Sequence, residues 1–235
     1  MNKSDLTYVL IWAKKIICAN MLGGKCSRCG NNNIFDLEFH HVDPSQKESK
    51  INRMANSRLS LLISEVEKCK LLCKNCHMEL HYSTNSFPKL EIMSLVEKKS
   101  CENCGYDKCS YALDFHHPEM ENKKFTISGT FQNDRFRKDI SNVISEAKKC
   151  MLLCKNCHGK EHIDIERFNR LSGLIYEKAN KYKELKKPMD LKELKLYLEK
   201  GMSITEISKK TGYAKSTICG IIKRRISLPD YQFSL

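Results

Sequence analysis

Apolar positions along this chain change their period several times, and each change marks an element. Between residues 5 and 20, Leu6, Val9, Leu10, Ile16 and Ile17 recur at helical spacing until Gly23-Gly24 breaks the run. From Phe35 to His41 the pattern alternates, with Leu37 and Phe39 on one face and Glu38 between them, which predicts a strand. The same alternation returns at Leu113, Asp114 and Phe115 before His116. A polar, lysine-rich loop follows each strand, with Pro44 in the first and Pro118 in the second. The stretches LSLLISEVEKC and ISNVISEAKKC then return to helical spacing and lead into the twin segments LLCKNCH. A loop (STNSFP) and a short helix from Leu90 to Lys98 join the two copies. Residues 163–187 read as a charged helix ending at Pro188, expected to act as a semi-rigid spacer. Beyond it Leu191, Leu194 and Leu198 predict a helix stopped by Gly201. Ser203 caps a second helix with Ile204 and Ile207, ended by Gly212, and Ile218, Ile221 and Ile222 predict a third.

Charge narrows the partner. The formal net charge is +13 over 235 residues, with Lys and Arg spread along the whole length. A balance of this size favours a polyanion, nucleic acid before an anionic membrane. No apolar run approaches the roughly 20 residues a membrane span needs. The opening MNKSDLTYVLIWAKKIICAN carries Lys14 and Lys15 inside its apolar stretch and lacks a small-residue cleavage site, so it reads as an amphipathic helix rather than an export signal. The expected location is therefore cytoplasmic, where paired thiols bind metal more often than they form disulfides.

The cysteines and histidines supply the chemistry, and they come twice. One copy runs Cys26-x2-Cys29, His40-His41, then Cys73-x2-Cys76-His77-x3-His81; the other runs Cys101-x2-Cys104, His116-His117, then Cys154-x2-Cys157-His158-x3-His162. The copies are 75 residues apart at the first cysteines, 76 at the histidine pair and 81 at the closing cluster. Four thiolates complete a zinc tetrahedron. Cys26, Cys29, Cys73 and Cys76 are thus expected to hold one structural Zn²⁺, and Cys101, Cys104, Cys154 and Cys157 another. Each module is too small to bury much core without its metal, so losing one cysteine is expected to unfold that module and leave the other standing. Cys69 and Cys150 match between copies but lie in apolar segments, and with Cys18, Cys109 and Cys219 they read as core thiols.

The histidines are left over from those tetrahedra. His77 and His81, four apart on a predicted helix, share one face. His40 and His41 are neighbours on a strand and point to opposite faces, so one can join a metal while the other looks elsewhere. Three imidazoles on a metal with open positions, plus a free imidazole nearby, suit attack of water on a phosphodiester.

Cys-x2-Cys, a strand ending in His-His and then Leu-Cys-x2-Cys-His resemble the HNH endonuclease family, and His-His with His-x3-His is similar to the nuclease colicins. The resemblance covers roughly residues 22–82 and 98–163. It implies an α+β fold of two tandem zinc-stapled ββα-metal modules. It also implies a catalytic divalent metal (Mg²⁺, Mn²⁺ or Zn²⁺) on His40, His77 and His81 and on His116, His158 and His162, with His41 and His117 as general bases. The chain departs from the family at the middle Asn, nine residues before the first helical His, where Lys68 and Lys149 stand. Those lysines could meet phosphate, or Asn75 and Asn156 could take over the orienting role. The C-terminal segment SITEISKKTGYAKSTICGIIKRR resembles the helix-turn-helix of resolvases and small repressors, with Lys215, Ser216, Thr217, Lys223, Arg224 and Arg225 available to DNA.

The resulting expectation is two modules at 1–84 and 85–165, a helical spacer at 166–188 and an all-α helix-turn-helix at 189–235. Together they would make a metal-dependent endonuclease acting on double-stranded DNA in a bacterial or phage-infected cell, akin to homing or restriction enzymes. The competing expectation is a zinc-binding, DNA-binding regulator whose HNH modules no longer cut.

Overall fold

The computed structural model describes residues 1–49, 51, 57–82, 87–130, 139–183, 191–211, 213 and 215–225. They form a mixed α+β structure, mostly helical, with two small sheets. The chain divides into two compact units, residues 1–182 and 183–235.

The first unit opens with α1 (Lys3–Met21), started by the Asn2 side chain, which accepts the Asp5 N–H at 2.7 Å. The strand β1 (Leu37–His41) follows, then α2 (Leu59–Val66), β2 (Cys69–Cys73) and α3 (Lys74–His81). The second copy repeats this order as α4 (Phe87–Leu95), β3 (Leu113–His116), the one-turn α5 (Ile127–Thr130), α6 (Ile140–Lys148), β4 (Met151–Cys154) and α7 (Lys155–Glu161). Each sheet is an antiparallel pair. His40 lies opposite Lys70 and His41 opposite Cys69 in the first, and His116 opposite Met151 in the second.

Alternation decides what each strand offers. Leu37 and His41 are buried with one another's face of β1, while Glu38 and His40 take the other face. The cores beneath are small: Ala19, Cys26, Leu37, Leu71 and Leu72 in one copy, Met93, Cys101, Leu113, Leu152 and Leu153 in the other. At about 1.5–3 kcal/mol per fully buried leucine, so few side chains leave room for a metal to stabilise the fold.

The predicted spacer is corrected. The helix α8 (Ile165–Lys183) buries Phe168, Leu171, Ile175 and Ala179 against Val9, Ala13, Ile16 and Ile17 of α1. Phe168 meets Trp12 and Phe35 edge to face, with ring centroids 5.1 and 4.8 Å apart, and Arg167 and Arg170 both bond the Asp5 carboxylate. The end of that stretch, through Pro188, lies outside the described residues.

The second unit holds α9 (Leu191–Glu199), α10 (Ile204–Thr211) and α11 (Lys215–Arg225) around Leu194, Tyr197, Leu198, Ile207, Ile218 and Ile222. Ser203 and Glu206 cap α10 reciprocally: the Glu206 N–H donates to Ser203 Oγ at 3.2 Å and the Ser203 N–H to Glu206 Oε2 at 2.8 Å. Gly201 has a φ of 72°, as the stop of α9 requires. Gly212, expected to end α10, lies outside the described residues. No helix among the described residues is long and apolar enough to cross a membrane.

Candidate metal centres and the histidines beside them

Among the described residues, four groups bring their ligand atoms within 4.8 Å of one another: Cys26, Cys29, Cys73 and Cys76; Cys101, Cys104, Cys154 and Cys157; His40, His77 and His81; His116, His158 and His162.

Each four-cysteine group is built from a turn and a helix start. In the first turn the Gly30 N–H donates to Cys26 O at 2.9 Å, and in the second Gly105 N–H donates to Cys101 O at 2.8 Å. Both glycines sit at positive φ, 76° and 74°, which a side chain would resist. Ser27 N–H to Leu71 O and Glu102 N–H to Leu152 O, both 2.8 Å, tie the turns to their sheets. The other two cysteines open α3 and α7, where Cys73 and Cys154 accept the N–H of Cys76 and Cys157, each at 3.5 Å. Across the cluster Cys29 and Cys73 are 3.7 Å apart at sulfur, and Cys104 and Cys154 are 3.6 Å apart. A disulfide would need about 2.05 Å. A zinc tetrahedron with bonds of about 2.3 Å has edges of about 3.8 Å, which fits. Within the groups the thiols divide. Burial would raise Cys26 and Cys101, but backbone N–H hydrogen bonds bring both down to about 7. Burial and neighbouring thiols push Cys73, Cys76, Cys104 and Cys157 up, so the fit to zinc rests on the sulfur geometry. The two groups fit two structural Zn²⁺. The remaining cysteines Cys18, Cys69, Cys109 and Cys150 are buried, as expected of core thiols, and Cys219 is half-buried.

The histidine groups are built on the opposite strand face. Glu38 and His40 project from β1 toward His77 and His81 on α3. His77 donates Nδ1–H to Glu38 at 2.8 Å, and His158 donates Nδ1–H to Asp114 at 2.8 Å. The bond fixes the tautomer and leaves Nε2 as the ligating atom. In both copies the Nε2 atoms of the helical pair are 3.1 Å apart. The ring of His40 lies 5.1 and 5.0 Å from those of His77 and His81. Metal–nitrogen bonds of about 2.0–2.1 Å give edges of about 3.4 Å, so the donor set fits a divalent ion with three protein ligands and open positions. Burial, then the neighbouring His77, His81 and Lys70, push the His40 pKa down to about 4, and burial with His158 and His162 lowers His116. Both are therefore neutral at physiological pH, the form that ligates.

His41 and His117 join neither triad. Each is buried and bonds a buried carboxylate: His41 Nε2 is 2.8 Å from Glu65 Oε1, and His117 Nε2 is 2.9 Å from Glu146 Oε1. Glu65 Oε1 also accepts the N–H of Glu48 at 3.0 Å, and Glu146 Oε1 that of Lys124 at 2.7 Å, which pins the loop after each histidine pair. Lys68 and Lys149, expected at phosphate, are drawn onto these carboxylates at 2.8 and 2.7 Å. Asn75 and Asn156, the alternative orienting residues, bond one another instead: Asn75 N–H donates to Asn156 Oδ1 at 3.3 Å and Asn156 N–H to Asn75 Oδ1 at 3.0 Å.

Sequence reading missed Glu65, Glu146, Glu38 and Asp114. A signal existed, since Glu65 and Glu146 are 81 apart, the offset of the closing clusters, and Glu38 and Asp114 are 76 apart, the offset of the histidine pairs. Of the residues expected to meet DNA through the second unit, Lys215 is exposed at the start of α11. The side chains of Ser216, Thr217, Lys223, Arg224 and Arg225 lie outside the described set. Comparison with family models, with curated proteins and with solved structures gave no significant match.

Proposed function

We propose that this chain is a metal-dependent DNA endonuclease of HNH type, carrying two hydrolytic centres and a C-terminal helix-turn-helix that selects the site. The observation that carries the reading is the duplicated three-histidine group with open coordination, built beside a closed four-cysteine group. A site meant only for folding needs no open position, and each copy already has a closed one.

His40, His77 and His81 hold the divalent metal in one module, and His116, His158 and His162 hold it in the other. When bound, the metal supplies Lewis-acid stabilisation of the charge that builds on the phosphate and on the leaving oxygen. Glu38 and Asp114 keep the ligating nitrogens aimed at it. Glu65 takes the place of the family's middle Asn: with Nε2–H of His41 donated to its carboxylate, the lone pair stands on Nδ1, where the imidazole accepts a proton from water. The water oxygen bonds phosphorus, the P–O3′ bond breaks, and the 3′-oxygen takes up a proton. Family resemblance implies 5′-phosphate and 3′-hydroxyl products. His117 and Glu146 repeat the arrangement. The net charge of +13 supports a polyanionic substrate.

One observation favours a second reading, a zinc-dependent DNA-binding regulator. His41 and His117 are only 8% and 6% exposed, as a purely structural His–Glu pair would be. Replacing both His41 and His117 with Ala decides between them. The endonuclease reading expects cleavage of plasmid DNA to fall about 10²–10⁴-fold while zinc content stays the same. No cleavage by the unaltered protein supports the regulator, whereas an unchanged rate in the double variant would keep the endonuclease and take His41 and His117 out of its chemistry.

A further inference from the structure

The two modules are related by a two-fold axis rather than by a translation, and we infer that the substrate they fit is a duplex engaged about its own dyad, with one strand cut in each module. The inference rests on the endonuclease reading and names what that reading leaves open.

The symmetry is written in the contacts between modules. Asn75 and its counterpart Asn156 each donate a backbone N–H to the other's side-chain oxygen. A bond that is its own partner under exchange of the copies occurs only where an axis passes between them; a translational repeat puts one face of a module against a different face of the next. Flanking contacts obey the same exchange. Glu79 on α3 accepts from Tyr106 Oη at 2.6 Å, beside the zinc turn of the second module. The counterpart of Glu79 is Lys160 on α7, which meets Asp36 of the first module at 3.3 Å. Asp36 is itself bonded at 2.9 Å to Asn31, the counterpart of Tyr106. The second contact thus reaches Asn31 only through Asp36, so the exchange repeats the neighbourhood of the contact and not the bond itself.

Consequences for the substrate follow from symmetry. A rotation about an axis leaves height along that axis unchanged, so both histidine triads present at one level. His77 and His158 follow the axial asparagines by two residues, about 200° around each helix at ~3.6 residues per turn, so the triads face outward on either side of the axis. The strands of a duplex run antiparallel and are themselves related by dyads perpendicular to the helix axis, which is why two-fold proteins meet palindromic sites. A hydrolytic centre accepts one strand polarity. Two centres related by translation would both meet one strand, whereas two related by a dyad meet one strand each.

The test uses the full chain, supercoiled plasmid and Mg²⁺ or Mn²⁺, with products separated by topology and their ends sequenced. The unaltered protein should give linear DNA, with breaks in the two strands at a constant stagger about a local centre. His41→Ala and His117→Ala should each give nicked circles, with the nicks of the two variants on opposite strands about the same centre. Should either variant fail to retain two zinc ions, His77→Ala and His158→Ala provide the same partition. Nicks by both variants on one strand, or one single variant inert while the other cuts fully, would overturn the dyad while leaving the endonuclease standing. Absence of cleavage by the unaltered protein with any metal would sink both.

Discussion

Glu65 and Glu146 are 2% and 1% exposed, yet both are held ionised. Burial would raise these carboxyls. Hydrogen bonds from Lys68, His41 and the Ser49 and Glu48 backbone outweigh it in one copy, and those from Lys149, Lys124 and His117 outweigh it in the other. Both pKa values come down from 4.5 to about 2. A depressed carboxyl pKa stabilises the folded state above its ordinary value, and that stability is lost as pH falls from about 4.5 toward 2. Glu65→Gln and Glu146→Gln should therefore each destabilise the protein at pH 7 by about 2–3 kcal/mol. The gap from the unaltered protein should narrow as pH falls below 4.5 in denaturant titrations, read only over the range in which both proteins keep two zinc ions by elemental analysis. A gap that stays constant over that range would show that the carboxylates are not held ionised. At this scale the cysteines and histidines were legible because their spacing is their chemistry. The buried partner of His41 was not, because Glu65 reaches it through the fold, twelve positions before His77 rather than nine.

At the scale of elements, the two CxxC turns and the two helices begun by Cys73 and Cys154 form closed groups, so exhaustively dialysed protein should retain two zinc ions per chain by elemental analysis. Cys73→Ser should retain one. The sequence suggested that the other module would be left standing; in addition α3 and α7 share the Asn75–Asn156 contact, and Asn156 also hydrogen-bonds the Cys73 thiol. Cys73→Ser should accordingly lower the melting temperature of the remaining module by several degrees, read by heat-induced release of the second zinc. A melting profile matching that of the unaltered second module would show the copies to be independent. Helices and strands followed their apolar periods closely. The helix α8 misled because its many charges, Glu166, Arg167, Arg170, Glu177, Lys178 and Lys181 among them, hide the stripe of Phe168, Leu171, Ile175 and Ala179 that packs on α1. Counting charge describes one face of a helix; the core reads the other.

For the whole molecule, the division at residue 183 leaves the metal centres in one unit and the three C-terminal helices in the other. Deleting residues 189–235 should leave zinc content and slow, unspecific cleavage intact while weakening DNA affinity and site choice, measured by binding of the full and shortened chains to a mapped target. Equal affinity would remove the helix-turn-helix from the account. The central claim is that an open histidine site, distinct from the closed cysteine site, performs hydrolysis. It is tested most directly by plasmid cleavage with protein stripped of loosely bound metal but still holding its two zinc ions. Adding Mg²⁺, Mn²⁺ or further Zn²⁺ should switch cleavage on, and brief EDTA treatment should switch it off without loss of the cysteine-held zinc. Cleavage indifferent to added metal and to EDTA, or no cleavage at any metal concentration, would contradict it.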